Sequence, residues 1–150
     1  MGGHVLDNDR RIEALIRDLT NRGEDGLRAS TALAEIGPPA VEPLVRALQV
    51  LEDEYASKLV ALSLGRIGKP AVQPLIDSLR VADPRVRMLA LQALSAVRDD
   101  VRVQQALLQA RNDPDVMVRQ AAWQALERLR PQHISPYDRV TRRRRPERLQ

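Results

Sequence analysis

The sequence predicts an all-α, right-handed solenoid of about four helical hairpins, and three observations carry that expectation. "IGPPAVEPLVRAL" at residues 36–48 returns 31 positions later as "IGKPAVQPLIDSL" at 67–79. Asp83-Pro84 returns as Asp113-Pro114, and "LQAL" at 91–94 as "WQAL" at 123–126, at spacings of 30 and 32. The apolar residues are chiefly Leu, Ala and Val, with no Phe and only Tyr55, Trp123 and Tyr137 as aromatics. That palette suits closely packed helices better than sheets, which favour β-branched and aromatic residues. A period near 31 residues fits two short helices with their turns, and one such hairpin cannot bury its apolar stripe alone.

Taken in order, residues 1–7 read as an N-terminal extension and 8–37 as the first unit, opened by the stripe Ile12, Leu15, Ile16, Leu19. The second unit, 38–68, carries Val41, Leu44, Val45 and Leu48, and the third, 69–98, carries Val72, Leu75, Ile76 and Leu79 at the same i, i+3, i+4, i+7 spacing. The fourth, 99–130, is looser, with Val103, Ala106, Leu107 and Ala110. Second helices repeat the stripe, most clearly at Val86, Ala90, Ala93, Leu94 and Val97. Gly37 and Gly68 stand where a left-handed residue ends a helix. Pro39 and Pro70 follow as helix starters, and Pro43 and Pro74 lie about one turn further on, where few ladder hydrogen bonds are at stake. Residues 131–150 form an Arg-rich tail, punctuated by Pro131, Pro136 and Pro146, that reads as extended or disordered.

"LGRIGKPAVQPLIDSL" and "DPRVRMLALQALSAV" resemble HEAT repeats, specifically the short type first described in phycobilisome lyases, over most of residues 27–130. The first unit departs from the pattern, with Asp25-Gly26 where Val-Arg is expected, and the fourth lacks the Pro-containing start. The resemblance implies a solenoid whose second helices line an inner surface. It also implies roles as an adaptor, an assembly factor or an accessory subunit of a chromophore lyase. In such repeats the Arg of Asp-Pro-x-Val-Arg, here Arg87 and Arg119, pairs with the turn Asp of its own or a neighbouring unit, here Asp83 and Asp113, and fixes unit spacing.

Charge is distributed unevenly. Arg139, Arg142, Arg143, Arg144, Arg145 and Arg148 against Asp138 and Glu147 give residues 131–150 the whole net charge of +4, while residues 1–130 balance 18 basic against 18 acidic side chains. The N-terminus has no signal-peptide pattern and no apolar run is long enough for a transmembrane segment, so a cytoplasmic protein is the expected class. Cysteine is absent, His4 and His133 lie outside the repeats, and no nucleophile, phosphate-loop or metal motif occurs. The sequence therefore points to no enzyme and implies no cofactor.

Placed at 100° per residue, the second helices turn one row of positions away from the first helices. The row comprises Met88, Leu91, Gln92 and Ser95 in unit three, Gln120, Trp123, Gln124 and Glu127 in unit four, Lys58, Ala61, Leu62 and Gly65 in unit two, and Leu27, Ser30, Thr31 and Ala34 in unit one. Only Lys58 and Glu127 are charged among these sixteen. A surface with Leu27, Leu62, Met88, Leu91 and Trp123 resembles the apolar centre of a protein–protein interface more than a phosphate-binding groove. The expected function is a non-catalytic interaction module that grips a protein or peptide there, with the tail arginines as an electrostatic anchor. Two other readings stay open at this point. The tail arginines could hold nucleic acid such as ribosomal RNA. Alternatively the inner face is covered by a homodimer partner, or by Ile134 and Tyr137 of the chain's own tail.

Overall fold

The computed structural model describes residues 3–131, which form an array of four helical hairpins with no strand among the described residues. Helices α1 (Gly3–Asp18) and α2 (Glu24–Ile36) make the first hairpin, and α3 (Val41–Val50) and α4 (Glu54–Ile67) the second. Helices α5 (Lys69–Ser78) and α6 (Pro84–Leu94) make the third, and α7 (Val101–Ala110) and α8 (Val116–Leu129) the fourth. Helix α1 takes in residues 3–7, so the helical array begins ahead of the start at residue 8 that the apolar stripe suggested.

Four of the helix starts are fixed by an aspartate whose side chain accepts from open backbone N–H groups. Asp53 caps α4, Asp83 caps α6, Asp100 caps α7, and Asp115 caps α8 through Met117 and Val118. Gly37 and Gly68 end α2 and α4 at φ of +77° and +80°, as expected, but with ψ of −135° and −130°. Those angles lie outside the left-handed helical well and close to a region that only glycine occupies readily. Each glycine launches the next hairpin through a tight turn, with Ala40 N–H donating to Gly37 O and Ala71 N–H to Gly68 O, both at 2.9 Å. Pro74 falls at the sixth residue of α5, beyond the four donors that a helix start leaves open, so one ladder bond is given up there. The exit from α6 is different. It ends at Leu94, and Asp99 supplies the positive φ (60°) at the register of Gly37 and Gly68. Aspartate tolerates this conformation better than most side chains.

The stripes expected from the sequence form one continuous core, including Ile12, Leu19, Leu44, Leu48, Val72, Leu75, Val86, Leu94, Val103 and Leu107. Successive second helices pack far more closely on one another than successive first helices do. The array therefore curves toward α2, α4, α6 and α8, which make its inner layer. Small residues permit the close approach. A Cβ on Gly65 would lie 2.9 Å from the Ala96 side chain and 3.1 Å from Ala93 O, and one on Gly26 would lie 3.1 Å from the Leu59 side chain of α4. Between α2 and α4 the buried hydroxyls of Ser30 and Ser63 lie 2.9 Å apart, and both reach Leu59 O.

Each junction also carries a polar cross-link made by a side chain of the later or earlier second helix. Tyr55 Oη donates to Gly23 O at 3.1 Å between units one and two. Arg85 Nη1 reaches Ser57 Oγ at 3.3 Å and Nη2 reaches Leu48 O at 3.4 Å between units two and three. Arg87 forms a fork with Asp113 between units three and four, Nε to Oδ2 and Nη2 to Oδ1, both at 2.9 Å. Its Nη1 donates to its own turn at Val81 O and Ala82 O. Burial of Asp113 opposes its ionisation, but the Arg87 fork and the Asp115 N–H outweigh that and hold its carboxyl below the usual range.

Candidate partner-binding groove

An open groove of about 1050 Å³ runs along the inner layer where the C-terminal ends of α4, α6 and α8 converge. Its lining follows from helix geometry. Leu62 projects from α4 about one turn before its end, with Arg66 four residues later on the same ridge, while Gln92 lies in the last turn of α6 and Ala96 in the turn just beyond it. Gln124 of α8 heads the corresponding ridge, which places Arg128 in the lining. The early end of α6 leaves the 95–98 turn open, so Ser95, Ala96 and Arg98 complete the wall between α4 and α8.

Five cations (Lys58, Arg66, Arg98, Arg128 and Arg130) and one carboxylate (Glu127) line this groove. Two of the cations are neutralised nearby, Lys58 by Glu54 and Arg130 by Glu127 at 3.2 Å. The remaining three, Arg66, Arg98 and Arg128, have no carboxylate within ion-pair distance among the described residues. Neutral hydroxyls orient two of them, Thr31 Oγ1 for Arg66 at 3.1 Å and Ser95 Oγ for Arg128 at 3.4 Å. Three helix C-termini contribute roughly −0.5 each, which offsets part of this charge and leaves the groove positive. Ala61, Leu62 and Ala96 give it an apolar floor. The groove thus offers charge-assisted hydrogen bonds to anionic groups beside contacts for aliphatic ones.

The residues singled out from the sequence separate into three places. Lys58, Leu62, Gln92 and Glu127 line the groove. Leu27 and Thr31 line a shallower hollow of about 340 Å³ on α2, with Glu24, Arg28, Ala32 and Glu35. Gln120, Trp123 and Gln124 are exposed on α8, and none of the three lines the groove. Two expectations are corrected. Leu91 is fully buried rather than presented to a partner, because position 91 faces the following second helix. Met88 is half-buried, packed against the core. The same register explains the burial of Ser30 and Ala61.

The turn ladder is also partly revised. Arg87 pairs with Asp113 of the next unit, while Asp83 caps α6 and lies 3.6 Å from Arg85 instead. Arg119 has no aspartate partner among the described residues and binds the carbonyls of Asp113 and Pro114 in its own turn. Arg66, Arg98, Arg128 and Arg130 were missed because the wheel stopped at positions 65, 95 and 127. Adding four residues to Leu62 and Gln124 reaches Arg66 and Arg128. Arg139, Arg142, Arg143, Arg144, Arg145 and Arg148 of the tail, with Ile134 and Tyr137, lie outside the described residues.

No helix among the described residues is long and apolar enough to cross a membrane. The family model for HEAT repeats matches residues 9–95 and again residues 72–136. Among solved structures, the crystal structure of an engineered protein is 24% identical with a TM-score of 0.44, covering 79% of this chain and 62% of its own. A designed armadillo repeat protein in complex with the peptide (KR)4 is 21% identical with a TM-score of 0.42, over 77% of this chain and 62% of its own. The chain thus spans less than two thirds of the length of either structure. No curated protein sequence matches the chain.

Proposed function

Because the chain belongs to the HEAT-repeat family, we propose that it is a non-catalytic protein-interaction module whose inner groove receives an extended acidic segment of a partner protein. The observation that carries this reading is the set of three arginines, Arg66, Arg98 and Arg128, that face the groove without a carboxylate among the described residues. Guanidinium groups held by neutral hydroxyls keep their planar fork free for a carboxylate, which they bind better than lysine does. Leu62, Ala61 and Ala96 beside them suit aliphatic side chains alternating with the acidic ones. Among the described residues the groove lining contains no aromatic side chain, the stacking platform that single-stranded nucleic acid uses.

Fluorescence anisotropy of the full chain with a labelled peptide of alternating Glu and Leu tests the reading. Binding is expected to weaken with salt and to fall by about tenfold or more in Arg66→Glu/Arg128→Glu, the equivalent of about 1.4 kcal/mol. A scrambled peptide with Lys in place of Glu is expected not to bind. Affinity unmoved by the double substitution would sink the proposal. Structured RNA that binds tightly and is lost in the same variant would transfer the groove to a nucleic-acid ligand.

A further inference from the structure

The C-terminal end of the array, formed by α7 and α8, repeats the inter-unit surface of the third hairpin with nothing among the described residues stacked on it. The register defines what each position does. Ser30, Ala61 and Leu91 are buried against the next second helix, and Trp123, the next residue in that series, is 56% exposed. Ala47 and Ser78 are buried between first helices, and Gln109 in their place is exposed. Arg119 is the successor of Arg87. Its Nη1 donates to Asp113 O at 2.8 Å and Pro114 O at 3.1 Å, reproducing the bonds of Arg87 Nη1 to Val81 O and Ala82 O. The Nε and Nη2 edge, which in Arg87 grips Asp113, has no carboxylate partner for Arg119 among the described residues.

We infer that this end face docks a helical hairpin of another protein, seated as a fifth repeat, whose turn supplies a carboxylate to Arg119 and whose second helix covers Trp123. The carbonyl bonds already orient the guanidinium fork, so the missing group must be a planar acceptor at the position Asp113 takes against Arg87. A second copy stacked head to tail does not meet that need. The first unit has Thr20 at the register of Asp113, and Arg28 at the register where Leu59 and Leu89 are buried. This inference uses none of the groove arginines and stands apart from the groove proposal.

Trp123 is the sole tryptophan, so its fluorescence reads this face directly. In the full chain its emission is expected to be solvent-exposed and freely quenched by acrylamide at every protein concentration. Shielding in dilute protein would assign the face to the chain's own tail, and shielding that grows with concentration would assign it to a second copy; either result overturns the inference. The chemistry is tested by inserting a second copy of residues 99–130 after Arg130, with that copy's Trp123 changed to Leu. Emission should shift to the blue, acrylamide quenching should fall and the melting temperature should rise. Arg119→Ala, or Asn at the inserted copy of Asp113, should cancel most of the gain in melting temperature. Arg119→Ala in the unextended chain should leave melting nearly unchanged. An unshifted emission, whether or not the inserted helices are ordered, refutes the inference. So does an equal cost of Arg119→Ala in both proteins, which would confine Arg119 to its own turn.

Discussion

The two ends of the array break the repeat at its stacking surfaces in opposite senses. At the N-terminal end, Arg28 stands at the register of Leu59 and Leu89 and pairs with Glu24 at 3.1 Å, so α2 turns a charged face outward. At the C-terminal end, Trp123 stands at the register of Ser30, Ala61 and Leu91, so α8 turns an aromatic one outward. Solenoid ends stay soluble when their outer faces are polar. At Arg28 the first hairpin satisfies that rule, and at Trp123 the fourth does not. The difference teaches that identical positions in a repeat carry different work, set by whether a neighbour is stacked on them.

The comparison breaks most sharply at matched pairs of positions. Leu91→Ala is expected to cost about 3 kcal/mol through the cavity it leaves between α6 and α8, whereas Trp123→Ala should change stability by less than about 0.5 kcal/mol. Urea denaturation followed by circular dichroism checks both, and equal losses would show Trp123 to be packed rather than presented.

The arginine pair gives a contrast of similar size. Arg87 and Asp113 are only 10% and 11% exposed, so Arg87→Ala strands a buried carboxylate at a cost of about 3 kcal/mol, the lower end for a broken buried pair. Acid sharpens the point. The Asp113 carboxyl is held below its ordinary value, so its contribution is complete above the unfolded pKa of about 3.9 and is lost as pH falls through the lower native one. The advantage of the native chain over Arg87→Ala should therefore be full near neutrality and shrink in acid, as thermal melts at stepped pH would reveal. A gap that is constant with pH would assign the stabilisation to the Val81 and Ala82 carbonyl bonds alone.

The smallest change in stability is expected at the other end. Arg28→Leu restores the apolar register of Leu59 and Leu89 on a surface with no unit stacked on it among the described residues, and should move the melting point little. It should instead cause self-association with rising concentration, measured by sedimentation velocity, because it enlarges an exposed apolar patch. A variant that stays monomeric would show that the ion pair with Glu24 is not what keeps this end soluble.

Much of this architecture was legible because each hairpin restates the same instructions. The stripes at Val41–Leu48 and Val72–Leu79, the glycines at 37 and 68 and the paired Arg87 all took the places the pattern assigned. The groove was legible only in part. A wheel divides a helix into an inside and an outside, but a second helix in a solenoid has its own first helix on one side and second helices before and after it. Leu91, Ser30 and Ala61 belong to that third direction, which no single-helix pattern distinguishes from the inner face. Arg98 was hidden for another reason, since its place in the lining depends on α6 ending early.

The unequal spacing of the two layers has a mechanical consequence. The second helices are locked together by the backbone-close contact at Gly65 and by the Ser30–Ser63 pair, while the first helices touch one another less. A laminate with one stiff and one compliant sheet flexes about the stiff sheet. Bending this array would therefore open and close the outer seams and leave the distances between α4, α6 and α8 nearly constant. The jaw of the groove keeps its gauge while the frame behind it gives.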